Sequence, residues 1–385
     1  MPVRPSYSLW TAIILLVAAG RGQGAERVTG AIAWDSSRYL DVDRLTPGMR
    51  GYAKTVFSGD RIETFEVEIV AIRPNVSPGR SMILGRCHGK NIEQTKVAAG
   101  MSGSPVYVRD PSDGRDKLIG AIAYGWLFQQ GTLTGIQPIR SMIEATGPMA
   151  VGDASGGSVL AIAPESRLGM TGLAAYVTGP HAGEPPLPSA MGTTMGRLAT
   201  PVVTGGASPP TVAWLGRQME GGPLLAVAGG GSAGDAAVAG TRLEPGSVLA
   251  IPILDGPFTL TAIGTVTDVI GQTVIGFGHA MNGEGATSLP LAGGVIQAVV
   301  PSTAQPFKIG SAGQTVGTLD IDRYTAVVGT RGPMPGLIPL TVTTDLDGRS
   351  RTDSYTTADH DYFTERKSKR LNSRHGQLSR MQDSD

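Results

Sequence analysis

Apolar residues recur at every second position in many short runs of this chain, and sustained helical spacing is scarce. From Ile62 to Ile72 the alternation sets Phe65, Val67, Ile69 and Ala71 on one face, as in a half-buried strand. A partner strand starts at Gly51, with Ser58-Gly59-Asp60 as the turn between them. Ser81–Leu84 is a further short strand, and Val97 leads into a run of small residues, Ala99-Gly100-Met101-Ser102-Gly103-Ser104-Pro105. Val106–Val108 and Leu118–Tyr124 read as a hairpin around Asp110-Pro111-Ser112-Asp113-Gly114, and Leu133–Ile136 as another strand. Pro138–Ala145 carries the one clear helical period, with Ile139, Met142 and Ile143 on one side.

Between residues 147 and 240 the pattern is broken by glycine and proline, and the region reads as an irregular connector. Within it Thr211–Leu215 and Leu224–Val227 read as isolated strands. Order returns with strands at Gly246–Leu254, Phe258–Val266 and Thr273–Phe277, the last two joined by a turn over Asp268–Gln272. Gly294–Val300, Val316–Ile321 and Leu337–Thr343 follow, and after Asp345 the chain turns polar and reads as a tail over 346–385.

Composition narrows the picture. The 385 residues include 55 glycines and 27 prolines, which favours short strands joined by turns. Lysine plus arginine and aspartate plus glutamate both count 32, so no net charge draws the chain to nucleic acid or to an anionic membrane. Cys87 is the single cysteine, which excludes an internal disulfide and a multi-cysteine zinc site. Arg4, the apolar core Leu9–Ala19 and the small residues Gln23-Gly24-Ala25 form the pattern of a secretory signal over residues 1–25. The expectation is an exported protein, periplasmic or extracellular, with no stable membrane span after the signal is removed. No His, Asp or Glu spacing suggests a metal, and Gly229–Gly234 lacks the Lys-Ser/Thr pair of a phosphate-binding loop, so no metal and no cofactor are expected.

The candidate chemistry sits in the small-residue run. A serine becomes a nucleophile where its oxygen stands clear of the backbone and a base can reach it. Glycines at 100 and 103 permit a sharp turn whose bare N–H groups can face an oxyanion. Among the histidines, His181, His360 and His375 lie in the connector or the tail and read as solvent-facing. His88 follows a strand and reads as structural. His279, delivered by the apolar run Val274–Gly278 and flanked by Asn282-Gly283, is the better base. Glu93, Asp268 and Asp322 are the carboxylates that could orient it, and Ser104 is a competing nucleophile.

Gly100-Met101-Ser102-Gly103-Ser104-Pro105 resembles the nucleophile turn of the SpoIVB-type serine peptidases and is similar to the G-D-S-G-G-P turn of chymotrypsin-like enzymes. Thr46–Gly59, Ile62–Glu68 and Gly120–Trp126 fit the same domain, and Phe277-Gly278-His279 resembles its Gly-His motif. The resemblance implies a mostly β protein with two chymotrypsin-like β-barrel lobes and few short helices. A serine-motif lobe would span 26–146 and a histidine-motif lobe 241–345. The lobes are in swapped order, because the histidine motif precedes the serine motif in the sporulation enzymes and follows it here. The implied roles are Ser102 as nucleophile, His279 as base, and the N–H groups of Gly100 and Ser102 as oxyanion donors. The sporulation enzymes carry an acid shortly before the serine motif, where Arg86-Cys87-His88-Gly89 offers none, so the third member stays open, with Asp322 and Asp268 as the candidates. The implied substrate is a polypeptide, the protein's own chain included. A non-catalytic protein-binding module that keeps the fold, or a hydrolase of small esters, are the rival readings.

Overall fold

The computed structural model describes residues 31–77, 80–90, 92–147, 195–229, 242–346 and 349–360. The signal pattern at 1–25, His181, His375 and most of the glycine run at 229–234 lie outside them. The first sheet comprises β1 (Arg50–Val56), β2 (Ile62–Ser77), β3 (Arg80–His88), β4 (Pro105–Arg109), β5 (Asp116–Gly125), β6 (Leu133–Pro138) and β7 (Gly196–Arg197). Its pairings close an antiparallel ring, β1-β2-β3-β6-β5-β4, with β7 added beside β5. A short helix, α1 (Ile92–Thr95), follows β3, and α2 (Ile139–Glu144) follows β6. The alternation read from the sequence is the reason the ring has an inside: Ala53, Phe65, Val67, Ile69, Ile83, Val106, Ile122 and Ile136 are buried together in it.

The second sheet begins with β8 (Thr200–Gly205), α3 (Pro209–Met219) and β9 (Leu224–Ala228). It continues with β10 (Val248–Asp255), β11 (Thr259–Ile270), β12 (Thr273–Gly276), β13 (Gly285–Val300), β14 (Phe307–Arg323) and β15 (Ala326–Arg331). β10 pairs with both β11 and β13, so these six strands close a second antiparallel ring, β10-β11-β12-β15-β14-β13. Counted from the first strand of each, the two rings run in the same order: first, second, third, sixth, fifth, fourth. The fold is therefore the mostly β, two-lobed architecture expected from the sequence, with the serine lobe first.

Several sequence expectations need correction. Thr211–Leu215 lies in helix α3, not in a strand. Thr200–Gly205 is a strand inside the supposed irregular connector. Asp268 belongs to β11 instead of a turn, which shrinks to Gly271-Gln272. The polar residues Arg349–Ala358, read as tail, form β17, which pairs along its whole length with β16 (Leu337–Leu346). His360, read as solvent-facing, is largely buried and contacts Glu284 at 3.0 Å. Among the described residues no helix is long and apolar enough to cross a membrane.

Candidate active site

The serine turn lies in the connection between β3 and β4, the third and fourth strands of the first ring, where it meets the second ring. Backbone bonding there can be counted in full. The carbonyls of Ala98, Met101 and Ser104 are taken within the first lobe by Met101, Ser104 and Ile122. Those of Ala99, Gly100, Ser102 and Gly103 are taken by the second lobe: by Lys308 N–H at 2.9 Å, Thr265 Oγ1 at 3.0 Å, Thr265 N–H at 2.8 Å and Thr267 Oγ1 at 2.7 Å. The N–H groups of Ala99, Met101, Gly103 and Ser104 donate to Pro306, Ala98, Ile122 and Met101. Gly100 and Ser102 are the two whose N–H groups meet no acceptor among the described residues.

Gly103 explains why the turn needs glycine. Its φ is +93°, and a Cβ there would sit 2.0 Å from Thr265 O and 2.5 Å from Phe277 N. Any side chain would push the two lobes apart at the site itself. Lys308 packs beneath the turn, its Cβ and Cδ 3.1 and 3.2 Å from where a Gly100 Cβ would lie. The lysine is 1% exposed, and its Nζ donates to Thr55 Oγ1 across the lobe boundary at 2.7 Å. Burial alone lowers its pKa to about 7.

His279 occupies the matching place in the second ring, between its third and fourth strands, β12 and β13. The chain reaches it through a tight reversal: Gly278 N–H donates to Gly276 O at 2.8 Å around Phe277, whose φ is +65°. A positive φ on a buried aromatic residue stores strain of roughly 1–3 kcal/mol, and such strain gathers at functional sites. Gly264 leaves room for the Phe277 ring, which would collide with any Cβ at that position. The imidazole is 1% exposed, and its Nδ1 lies 2.8 Å from Ala280 O. A carbonyl oxygen only accepts, so this bond requires the proton on Nδ1 and leaves Nε2 with its lone pair. Nε2 is buried with no partner among the described residues, as is Ser102 Oγ. Burial first, with Arg197 adding its positive charge, lowers the His279 pKa to about 3, so the ring is neutral.

The two candidates thus lie in equivalent connections at one lobe boundary, tied through Thr265, which bonds both the serine turn and Phe277 N–H. No hydrogen bond joins Ser102 Oγ to His279 Nε2 in this conformation, and Ser102 is fully enclosed. Ser104 Oγ is likewise buried with no partner among the described residues.

Among the described residues no carboxylate touches the imidazole. Asp268, proposed from the sequence as an orienting acid, is bound instead by Tyr39 OH at 2.7 Å and Arg38 Nη2 at 2.8 Å. Asp322 accepts the N–H groups of Met281, Asn282 and Gly283 at 2.7, 2.7 and 2.8 Å, and so holds the loop after His279, not its ring. Burial raises the pKa of both acids, against the pull of their hydrogen bonds. Glu93 caps Gly89 N–H on the surface, and His88 is half-exposed beside it. Arg197, whose Nη1 lies 3.3 Å from Ala280 O, carried no sequence signal because it sits in the region read as connector. Among the described residues no group of three His, Cys, Asp or Glu side chains is placed to hold a metal ion. Comparison with family models, curated proteins and solved structures finds nothing that matches this chain.

Proposed function

We propose that this protein is an exported serine endopeptidase working by a Ser–His mechanism. The observation that supports it most is the bonding at the serine turn, which engages every carbonyl from Ala98 to Ser104 and, among the described residues, leaves free only the N–H groups of Gly100 and Ser102. Two such donors flanking a serine are the arrangement that stabilises a tetrahedral oxyanion. Ser102 Oγ attacks the peptide carbonyl as His279 Nε2 takes its proton, and the imidazolium then returns the proton to the leaving amine. Water repeats the sequence to release the acyl group. The Nδ1–H tautomer of His279 is the one this chemistry requires. Because Ser102 is enclosed, the cover of the turn must move before a substrate carbonyl can enter. The substrate is a polypeptide, the protein's own chain included.

The test is incubation of the full chain beside Ser102→Ala, read by intact mass and by hydrolysis of an unfolded protein substrate. Cleavage by the wild type and not by the variant supports the reading, and cleavage equal in both removes it. The enclosed serine favours one other reading, a protein-binding module that keeps the fold without catalysis. That reading requires no cleavage from either chain.

A further inference from the structure

The group next to His279 Nδ1 is a peptide, and that peptide is held at both ends by charge, from the buried Asp322 and the partly buried Arg197. Its C=O, from Ala280, accepts the imidazole Nδ1–H at 2.8 Å and lies 3.3 Å from Arg197 Nη1. Its N–H, from Met281, donates to Asp322 Oδ1 at 2.7 Å. Asp322 Oδ2 collects the next two N–H groups, of Asn282 and Gly283. One planar, polarisable amide therefore stands between a carboxylate and the imidazole.

We infer that Asp322 acts on His279 through the Ala280–Met281 peptide, and that Arg197 opposes it at the same carbonyl. A carboxylate drawing on the N–H pushes electron density onto the carbonyl oxygen, because hydrogen bonds in a chain polarise one another. The carbonyl becomes a stronger acceptor for Nδ1–H, and the imidazole becomes a better base at Nε2. The three contacts of Asp322 are all N–H donors, which is the company of an ionised carboxylate and not of a carboxylic acid. Arg197 does the reverse. Its guanidinium competes for the carbonyl lone pairs and disfavours the imidazolium. It makes no ion pair with a carboxylate among the described residues and its Nε is buried without a partner, while Asp322 is near enough to offset part of its charge. Both are positioning residues, since neither touches the reacting atoms. The inference rests on the proposed role of His279 but concerns the state of its ring, which can be read without turnover.

The experiment uses the full chain with 15N-labelled histidine, observed by NMR at neutral pH, where the Nδ1 proton of a buried ring is protected from exchange. Asp322→Asn weakens the relay, so the Nδ1–H resonance moves upfield, and fluorophosphonate labelling of Ser102 slows by about tenfold, less than loss of an acid in direct contact would cause. Arg197→Gln moves the resonance downfield and speeds labelling. A purely structural role would loosen the loop in either variant and move both resonances upfield. Shifts in the same direction, or no shift in either, overturn the inference. Should Asp322→Asn fail to fold, Arg197→Gln decides alone, with an upfield or unmoved resonance as the contrary result. Opposed shifts in a chain that never labels would keep the relay and remove the peptidase reading.

Discussion

Replacing Lys308 by methionine removes a buried amine while keeping its stem against Gly100, and the structure sets the size of the effect. The ordinary lysine pKa of 10.5 falls to about 7 in the fold, and burial is the whole cause. A depressed pKa means that the folded chain binds fewer protons than the unfolded chain between those two values. Stability therefore rises with pH across that window and is lowest, for this group, below pH 7. The gap corresponds to about 5 kcal/mol in full, of which roughly 4 kcal/mol is still missing at pH 7. Methionine forfeits the bond to Thr55, worth about 1 kcal/mol. Lys308→Met should thus stabilise the protein by roughly 2–3 kcal/mol at pH 7. The assay is urea unfolding at pH 7 and pH 8.5, a range below the point where the buried Cys87 thiol, pushed up to about 12, begins to count against the fold. Wild type should gain about 1–2 kcal/mol over that range and the variant nothing. A variant less stable than wild type at pH 7, or a wild type with no pH slope, would refute the reasoning.

Three other outcomes follow from the same site. Gly103→Ala places a Cβ 2.0 Å from Thr265 O at φ +93°, so thermal unfolding should show a loss of about 3 kcal/mol or more. Ser102→Ala deletes a buried hydroxyl that has no partner, so the same measurement should find it equal to wild type or more stable by about 1 kcal/mol. His279 has a folded pKa depressed from 6.5 to about 3, so the folded chain again binds fewer protons and stability falls as pH drops through that window. Denaturant titrations at pH 7 and pH 4 should show a smaller fall for His279→Gln than for wild type.

The strands of the first lobe were legible because one face of each is buried, so Phe65, Val67 and Ile69 alternate with polar neighbours. The serine turn was legible for a different reason: its glycines are dictated by backbone contact at Gly103, which leaves a mark in sequence. Helix α3 was misread since Thr211-Val212-Ala213-Trp214-Leu215 has strand-favouring side chains. Ser208 followed by Pro209 and Pro210 was the helix-start signal that outweighed them. β17 was missed because its exposed Ser, Thr and Arg side chains need no apolar face. Asp347-Gly348, between two strands in register from Leu346 to Arg349, was the hairpin signal there. The surroundings of His279 were legible only in part: Asp322 was a candidate from the sequence, but its hydrogen bonds to the loop after the histidine were not. Arg197 and the Ala280 carbonyl carry no sequence signal, and Arg197 reaches that carbonyl from β7, beside β5 of the first sheet, only because the two lobes meet.

Fluorophosphonate labelling of the full chain, with the modified peptide located by mass spectrometry, goes most directly to whether Ser102 and His279 form a working pair. A single adduct on Ser102, absent from Ser102→Ala and from His279→Ala, is the expected result. A folded wild type that takes no adduct, or takes it on Ser104, would contradict it.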